Sequence, residues 1–171
     1  MSEYVIPRVR RSLRAGFDHL TALNQIYGMT TASFDVGESA KVVYLFKPDT
    51  AYFALNILDG TSWNRAPGDI KPSWKWNTGM TAHPLSTLRK ELHKALSQVN
   101  WYMRQHNARY RFLLTDQELV VFRRLDDKGY LELAPPTSFT TGGSASQPQL
   151  TVLLALWYVG MLATNDQGGD R

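Results

Sequence analysis

Asp49, Asp69 and Lys71 are the residues of this chain whose types and spacing could do chemistry. Pro48-Asp49 is followed twenty positions later by Asp69-Ile70-Lys71. In a β-strand, successive side chains alternate, so Asp69 and Lys71 share a face while Ile70 turns into the core. Two acids and an amine can then converge. Carboxylate oxygens are the donors that Mg²⁺ and Mn²⁺ prefer, and the Ile70 carbonyl could complete the coordination. An ammonium beside such an ion can hold or polarise an attacking water, which makes hydrolysis the expected chemistry.

Other chemistries lack their residues. The chain has no cysteine, so it has no thiolate nucleophile, Cys-based zinc site or disulfide framework. His19, His83, His93 and His106 form no HxxH or HExxH pattern, and no serine sits in a G-x-S-x-G elbow. Gly142-Gly143 has neither the GxGxxG context nor the lysine of a phosphate loop.

The elements that must position the acids can be read from periodicity. From Pro7 onward, Val9, Leu13, Phe17, Leu20 and Leu23 recur at helical spacing, with Gly28 as a stop. Residues 42–46 and 52–58 are apolar, β-branched or aromatic runs expected to be strands, which leaves Asp49 between them. Residues 68–71 would be a third strand, cut short because Pro72 cannot donate to a ladder. Between His83 and Asn107, Leu85, Leu88, Leu92, Ala95, Val99, Tyr102 and Met103 step by three or four, predicting a long amphipathic helix with Ser86 available as its cap. Residues 110–115 and 118–123 read as a hairpin around Asp116, with 130–133 as an edge strand. Residues 135–148 are rich in Pro, Gly, Ser and Thr and read as a loop before a last helix at about 149–163. The fold expected is α/β, in one domain covering 1–171.

At this point a family resemblance emerges. Pro48-Asp49 with Asp69-Ile70-Lys71 resembles the signature of the PD-(D/E)XK superfamily of metal-dependent nucleases. The order helix, three strands, helix, further strands is similar to its restriction-endonuclease-like core, here with an added C-terminal helix. Gln98-Val-Asn-Trp-Tyr102 resembles the QxxxY motif of the RecB-type exonuclease branch, and residues four apart share a helix face. The resemblance implies that Asp49 and Asp69 are metal ligands, that Lys71 is the catalytic lysine, and that Gln98 and Tyr102 orient substrate or lysine. It also implies an acid on the first helix, for which Glu3 is the candidate, with Asp18 and Glu38 behind it. The string from Gly68 to Trp76 further resembles an uncharacterised group of fungal proteins.

A formal charge of +4 and a pI near 9.4 favour polyanionic partners, although such attraction is screened within about 8 Å at physiological salt. Trp74, Lys75 and Trp76 interleave rings with a cation, as base stacking and phosphate contact require. The competing reading puts one or both tryptophans at the edge of the core. Arg109 and Arg111, with Arg123 and Arg124, fall on the hairpin, where they either track a phosphate backbone or form a solvated face. The apolar stretch 150–163 is shorter than the roughly 20 residues that span a bilayer, so it reads as a buried helix that could also pack on a second copy. Residues 1–13 have no apolar run, which with the lack of cysteine suggests an intracellular, cytoplasmic or nuclear, location.

Two functional readings follow. One is a Mg²⁺- or Mn²⁺-dependent phosphodiester hydrolase acting on nucleic acid, DNA being the expected substrate. The other is a catalytically silent relative that uses the same cleft to bind nucleic acid or a protein partner. A metal-dependent enzyme on a small substrate is a third, since fold does not dictate function.

Overall fold

The computed structural model describes residues 1–164 apart from 24, 26, 27, 46 and 56–59. Its centre is a seven-stranded sheet of β1 (Ala32–Val36), β2 (Thr50–Ala54), β3 (Gly68–Ile70), β4 (Tyr110–Leu114), β5 (Glu118–Arg124), β6 (Leu131–Leu133) and β7 (Thr137–Ser138). The first six lie side by side in chain order, and β7 pairs with β5. Neighbours run antiparallel except β3 and β4, which are parallel. A parallel pair needs a long crossover, and here α2 (Ser86–Gln105) supplies it. Helix α1 (Ser2–Ala22) precedes the sheet and α3 (Val152–Thr164) follows it.

Strand alternation divides the core in two. Phe112 and Leu114 of β4 and Leu119 of β5 join Val5, Val9, Leu13 and Phe17 of α1 and Leu156 and Val159 of α3 in one apolar layer. Leu113, Val120 and Phe122 face the other way, against Leu92, Val99 and Met103 of α2 and against Trp76. The sheet is therefore covered on both sides, by α1 and α3 on one face and α2 on the other. Helices α1 and α3 approach closely because Gly160 has no Cβ: one added there would stand 2.7 Å from Leu13 and 2.8 Å from Tyr52.

Several elements differ from expectation. The first strand is Ala32–Val36 and not 42–46. Val43 makes only an isolated bridge, and Tyr44 and Leu45 turn with φ of 51° and 64°, a left-handed backbone that no strand can contain. Phe46 lies outside the described residues, as do Ile57 and Leu58 of the expected second strand, which runs over Thr50–Ala54. Helix α1 begins at Ser2 rather than Pro7. Met1 accepts from the amides of Tyr4 and Val5, so the first turn forms ahead of the proline. It ends at Ala22, well before Gly28. Ser86 opens α2 without capping it. The N-cap is Leu85, with no side-chain cap bond, and the Arg89 guanidinium ties down the entry by donating to the carbonyls of His83 (2.5 Å) and Pro84 (2.9 Å). Helix α3 starts at Val152, and the expected loop before it contains β7.

Past β3, the chain is fastened to the β4–β5 turn. Asp116 accepts from the Ser73 amide (2.6 Å) and hydroxyl (3.0 Å), and Glu118 accepts from the Thr78 amide (2.7 Å) and hydroxyl (3.0 Å). These bonds fix where β3 ends. Among the described residues, no helix is long and apolar enough to cross a membrane.

Candidate metal and nucleic-acid site

Register places the acids. Asp69 is the parallel partner of Leu113, so it points to the α2 face, while Ile70 packs into the α1 and α3 layer. Gly68 makes the strand possible here: a Cβ at that position would run into the Phe112 ring and the Thr50 hydroxyl. Asp49, just ahead of β2, reaches across the β2–β3 edge and its Oδ2 accepts from the Ile70 amide at 2.7 Å. That single bond brings the Asp49 carboxylate to the backbone of the Asp69-Ile70-Lys71 strand.

Lys71 lies on the same face as Asp69, with Nζ 3.9 Å from Asp69 Oδ2. Its amine donates to Gln98 Oε1 at 3.2 Å, and its amide to the Leu114 carbonyl at 2.9 Å. Tyr102, one helical turn after Gln98, donates its hydroxyl to the Lys47 carbonyl at 3.3 Å. Helix α2 thus presents Gln98 to the lysine and Tyr102 to the chain entering Asp49.

Arg111 contradicts the sequence expectation of a solvent-facing phosphate contact. It is fully buried, because β4 is a central strand with both faces covered. Its guanidinium forms an ion pair with Asp69 Oδ2, donates to the carbonyls of Gln98 (2.9 Å) and Val99 (3.2 Å), and stacks 4.4 Å from the Tyr102 ring centre. The signal was available: alternation along β4 sets Arg111 on the same face as Leu113, so a guanidinium there needs a buried acid. Trp76 is the second correction. It is 1% exposed and packs on Phe122, closing the core rather than offering a stacking face. Trp74 is 72% exposed, with Lys75 Nζ 5.1 Å from its ring centre. Arg109 is half-buried beside Tyr110, while Arg123 pairs with Glu132 (2.6 Å).

Glu3 is not brought to the site. It is exposed in the first turn of α1, on the helix that packs against the opposite face, and no hydrogen bond or ion pair joins it to Asp49 or Asp69. Asp18 is exposed on the same helix, and Glu38 is engaged by Lys47 at 2.6 Å, which lowers its pKa. Among the described residues, no group of three or more acids and histidines could hold a metal.

The electrostatics follow from crowding. Loss of hydration raises the Asp49 pKa; the Ile70 amide, Lys71 and Arg111 pull it down, and the Asp69 charge pushes it up. Tyr102 is likewise raised, chiefly by burial. Asp49 and Asp69 each keep one oxygen outside the Ile70 and Arg111 contacts, and carboxylate oxygens are the donors that Mg²⁺ takes, from one or two acids plus water. Asp69 does so with Arg111 already at its other oxygen.

No family model and no curated protein matches this sequence. Among solved structures, the chain is similar to the type IIG restriction endonuclease BpuSI, with a TM-score of 0.50 and 15% identity over 96% of this chain. The fold is restriction-endonuclease-like. This core spans 17% of the length of BpuSI, and at that identity the likeness shows the fold alone. Within this restriction-endonuclease-like sheet, Asp69 lies on β3, facing α2, and Asp49 lies at the entry to β2, bonded to the β3 backbone. An apolar groove of about 810 Å³ beside α3, lined by Tyr110, Val121, Leu133, Ala155 and Tyr158, contains none of Asp49, Asp69 and Lys71.

Proposed function

We propose that this protein is a metal-dependent phosphodiester hydrolase of the nuclease type, acting on DNA. The observation that carries the reading is the convergence of Asp49, Asp69 and Lys71, with Asp49 bonded to the Ile70 amide and Lys71 held by Gln98. Mg²⁺ or Mn²⁺, when bound, supplies positive charge to the phosphate and makes water more acidic. Asp49 and Asp69 are the residues that hold it. Lys71 stands where its ammonium can orient the attacking water, and Gln98 fixes the direction of that amine. Tyr102 anchors the strand entry through Lys47. The Gln98 and Tyr102 pair supports the RecB-type exonuclease-like branch of the PD-(D/E)XK superfamily, and the string from Gly68 to Trp76 supports kinship with a fungal group.

The test is incubation of end-labelled single- and double-stranded DNA with the purified protein and Mn²⁺, with EDTA as control. Lys71→Ala is expected to abolish cleavage while leaving Mn²⁺ binding by calorimetry largely intact, and Asp69→Ala to remove both. Metal-dependent cleavage surviving in Asp69→Ala would overturn the reading. A second reading, a silent relative that only binds, draws on the Arg111 ion pair, which already neutralises Asp69. Nucleic-acid binding by the wild type with neither Mn²⁺ uptake nor cleavage would favour it.

A further inference from the structure

Chain segment 41–47, with residue 46 outside the described ones, lies beside the mouth where Asp49 sits. It is anchored at either end: the Lys41 amide donates to the Ser62 carbonyl at 2.7 Å, and the Lys47 carbonyl accepts from Tyr102 at 3.3 Å. Between these anchors the chain reverses through Tyr44 and Leu45, 80% and 91% exposed, both in the left-handed conformation. That backbone is uncommon for side chains other than Asn, Asp and Gly, and it thrusts an aromatic ring and a leucine into solvent instead of folding them inward.

Two more rings lie against the same structure. Trp63 follows Ser62 directly, is 45% exposed, and carries Lys41 Nζ 4.0 Å from its ring centre. Its ring meets edge-on, at 6.2 Å, that of His106, the C-cap of α2 one turn beyond Tyr102. Trp101, 40% exposed, meets the Tyr102 ring edge-on at 5.4 Å. Tyr and Trp combine a broad apolar face with a polar tip, and π-faces interleaved with cations suit unpaired bases and their phosphates. Lys41 has no ion pair among the described residues, so its charge is available to a phosphate.

We propose that Tyr44, Trp63 and Trp101, with Lys41 held against the Trp63 ring, form the surface on which single-stranded DNA stacks its bases beside Asp49. The inference rests on the nuclease reading for the identity of the polymer, and names the form of DNA that the site takes. A flat duplex buries its base faces and offers nothing to three protruding rings, whereas an unpaired strand offers one face per nucleotide. The stacking surface therefore lies on the α2 side near Asp49, and not at Trp74, beyond the end of β3.

The experiment is fluorescence anisotropy in EDTA, so that no cleavage is needed, with labelled single-stranded DNA, blunt duplex and single-stranded RNA of one sequence. Wild type is expected to bind the single-stranded DNA at least about tenfold more tightly than the duplex, with Trp63→Ala and Tyr44→Asn each weakening that binding about tenfold. Tyr44→Asn keeps a residue that tolerates the left-handed backbone, and Trp63→Tyr, which retains a ring, is expected to restore most of the affinity lost in Trp63→Ala. Trp74→Ala is expected to bind as wild type. Equal binding of the duplex, preference for RNA, or loss in Trp74→Ala with none in the other variants overturns the assignment. Cleavage by wild type in Mn²⁺ with affinity unmoved by all ring variants sinks the stacking surface and spares the nuclease reading. Ring-dependent binding of single-stranded DNA without any cleavage does the reverse.

Discussion

The buried guanidinium of Arg111 is paired with the carboxylate of Asp69, joining the centre of the sheet to the acid expected to hold metal. The same guanidinium grips two carbonyls in the middle of α2, so one side chain fixes the acid, the helix and β4 relative to each other. Removing one member of such a pair strands a charge out of water and typically costs about 3–5 kcal/mol, whereas replacing both by apolar groups can be nearly neutral. Arg111→Met is therefore expected to lose about 3 kcal/mol or more in urea unfolding, and Arg111→Met with Asp69→Leu to lose less than the single variant. If Asp69 is a metal ligand, Mn²⁺ should return part of the stability of Arg111→Met by binding the native state alone. A double variant as unstable as the sum of its singles would show that the pair is not the source of the loss.

Gly68 is the second structural lever. A methyl group there has no room, since it would overlap Phe112 from the neighbouring strand and Thr50 on the other side. Gly68→Ala must push β3 away from β4 or β2. Such overpacking costs about 1–3 kcal/mol, and here it also moves the adjacent Asp69. Thermal unfolding should show the loss, and calorimetry should show weaker Mn²⁺ binding even where the variant is folded. Wild-type stability in Gly68→Ala would mean that the strand spacing is looser than the geometry indicates.

Much of the scaffold was legible because periodicity is a local signal. The steps of three and four from Leu88 to Met103 gave α2, and alternation placed Asp69 and Lys71 together with Ile70 opposite. What was missed depends on tertiary context. Ala32–Val36 has only Phe34 as a large apolar residue, flanked by the polar Ser33 and Asp35, so its propensity is weaker than that of 42–46. It is a strand because it pairs with β2 and lies under α1. Arg111 was read at the surface and Trp76 as either a stacking ring or the edge of the core; a central strand buries the first, and the core-edge reading holds for the second. Trp63 and Trp101 are far apart in the sequence, and only the folded chain sets their rings against His106 and Tyr102, one helical turn from each other.

Asp49 gives the candidate site a pH dependence. Crowding raises its pKa above the usual carboxylate value, with the Asp69 charge adding to the shift and Lys71 and Arg111 opposing it. Only the ionised form can hold a cation, so Mn²⁺ affinity should fall as pH drops through this raised value, earlier than for a free carboxylate. In Lys71→Met the opposing ammonium is gone, and the acid limb should move to higher pH. For stability the sign is opposite: the native state holds this proton more tightly than the unfolded chain does, so the contribution shrinks as pH rises through the window. Calorimetric Mn²⁺ titrations across the acid range check both limbs. An affinity profile identical in wild type and Lys71→Met would separate the lysine from Asp49.

His106 should set the acid stability of the fold. It is 3% exposed, neither ring nitrogen has a hydrogen-bond partner, and burial together with the charges of Arg111 and Lys41 lowers its pKa to about 4. The unfolded chain, with its imidazole near the ordinary value of about 6.5, takes up the proton first as pH falls. Stability is therefore complete above that value, declines through the interval down to about 4 and is flat below, a loss of about 3 kcal/mol from this group. His106→Leu removes the titration and two unsatisfied nitrogens while keeping an apolar contact for Trp63. Its urea midpoint should change less than that of wild type between neutral pH and pH 4, and at the acid end it should be the more stable protein. Parallel pH profiles for the two would mean that the imidazole has water or another partner in solution and is not desolvated.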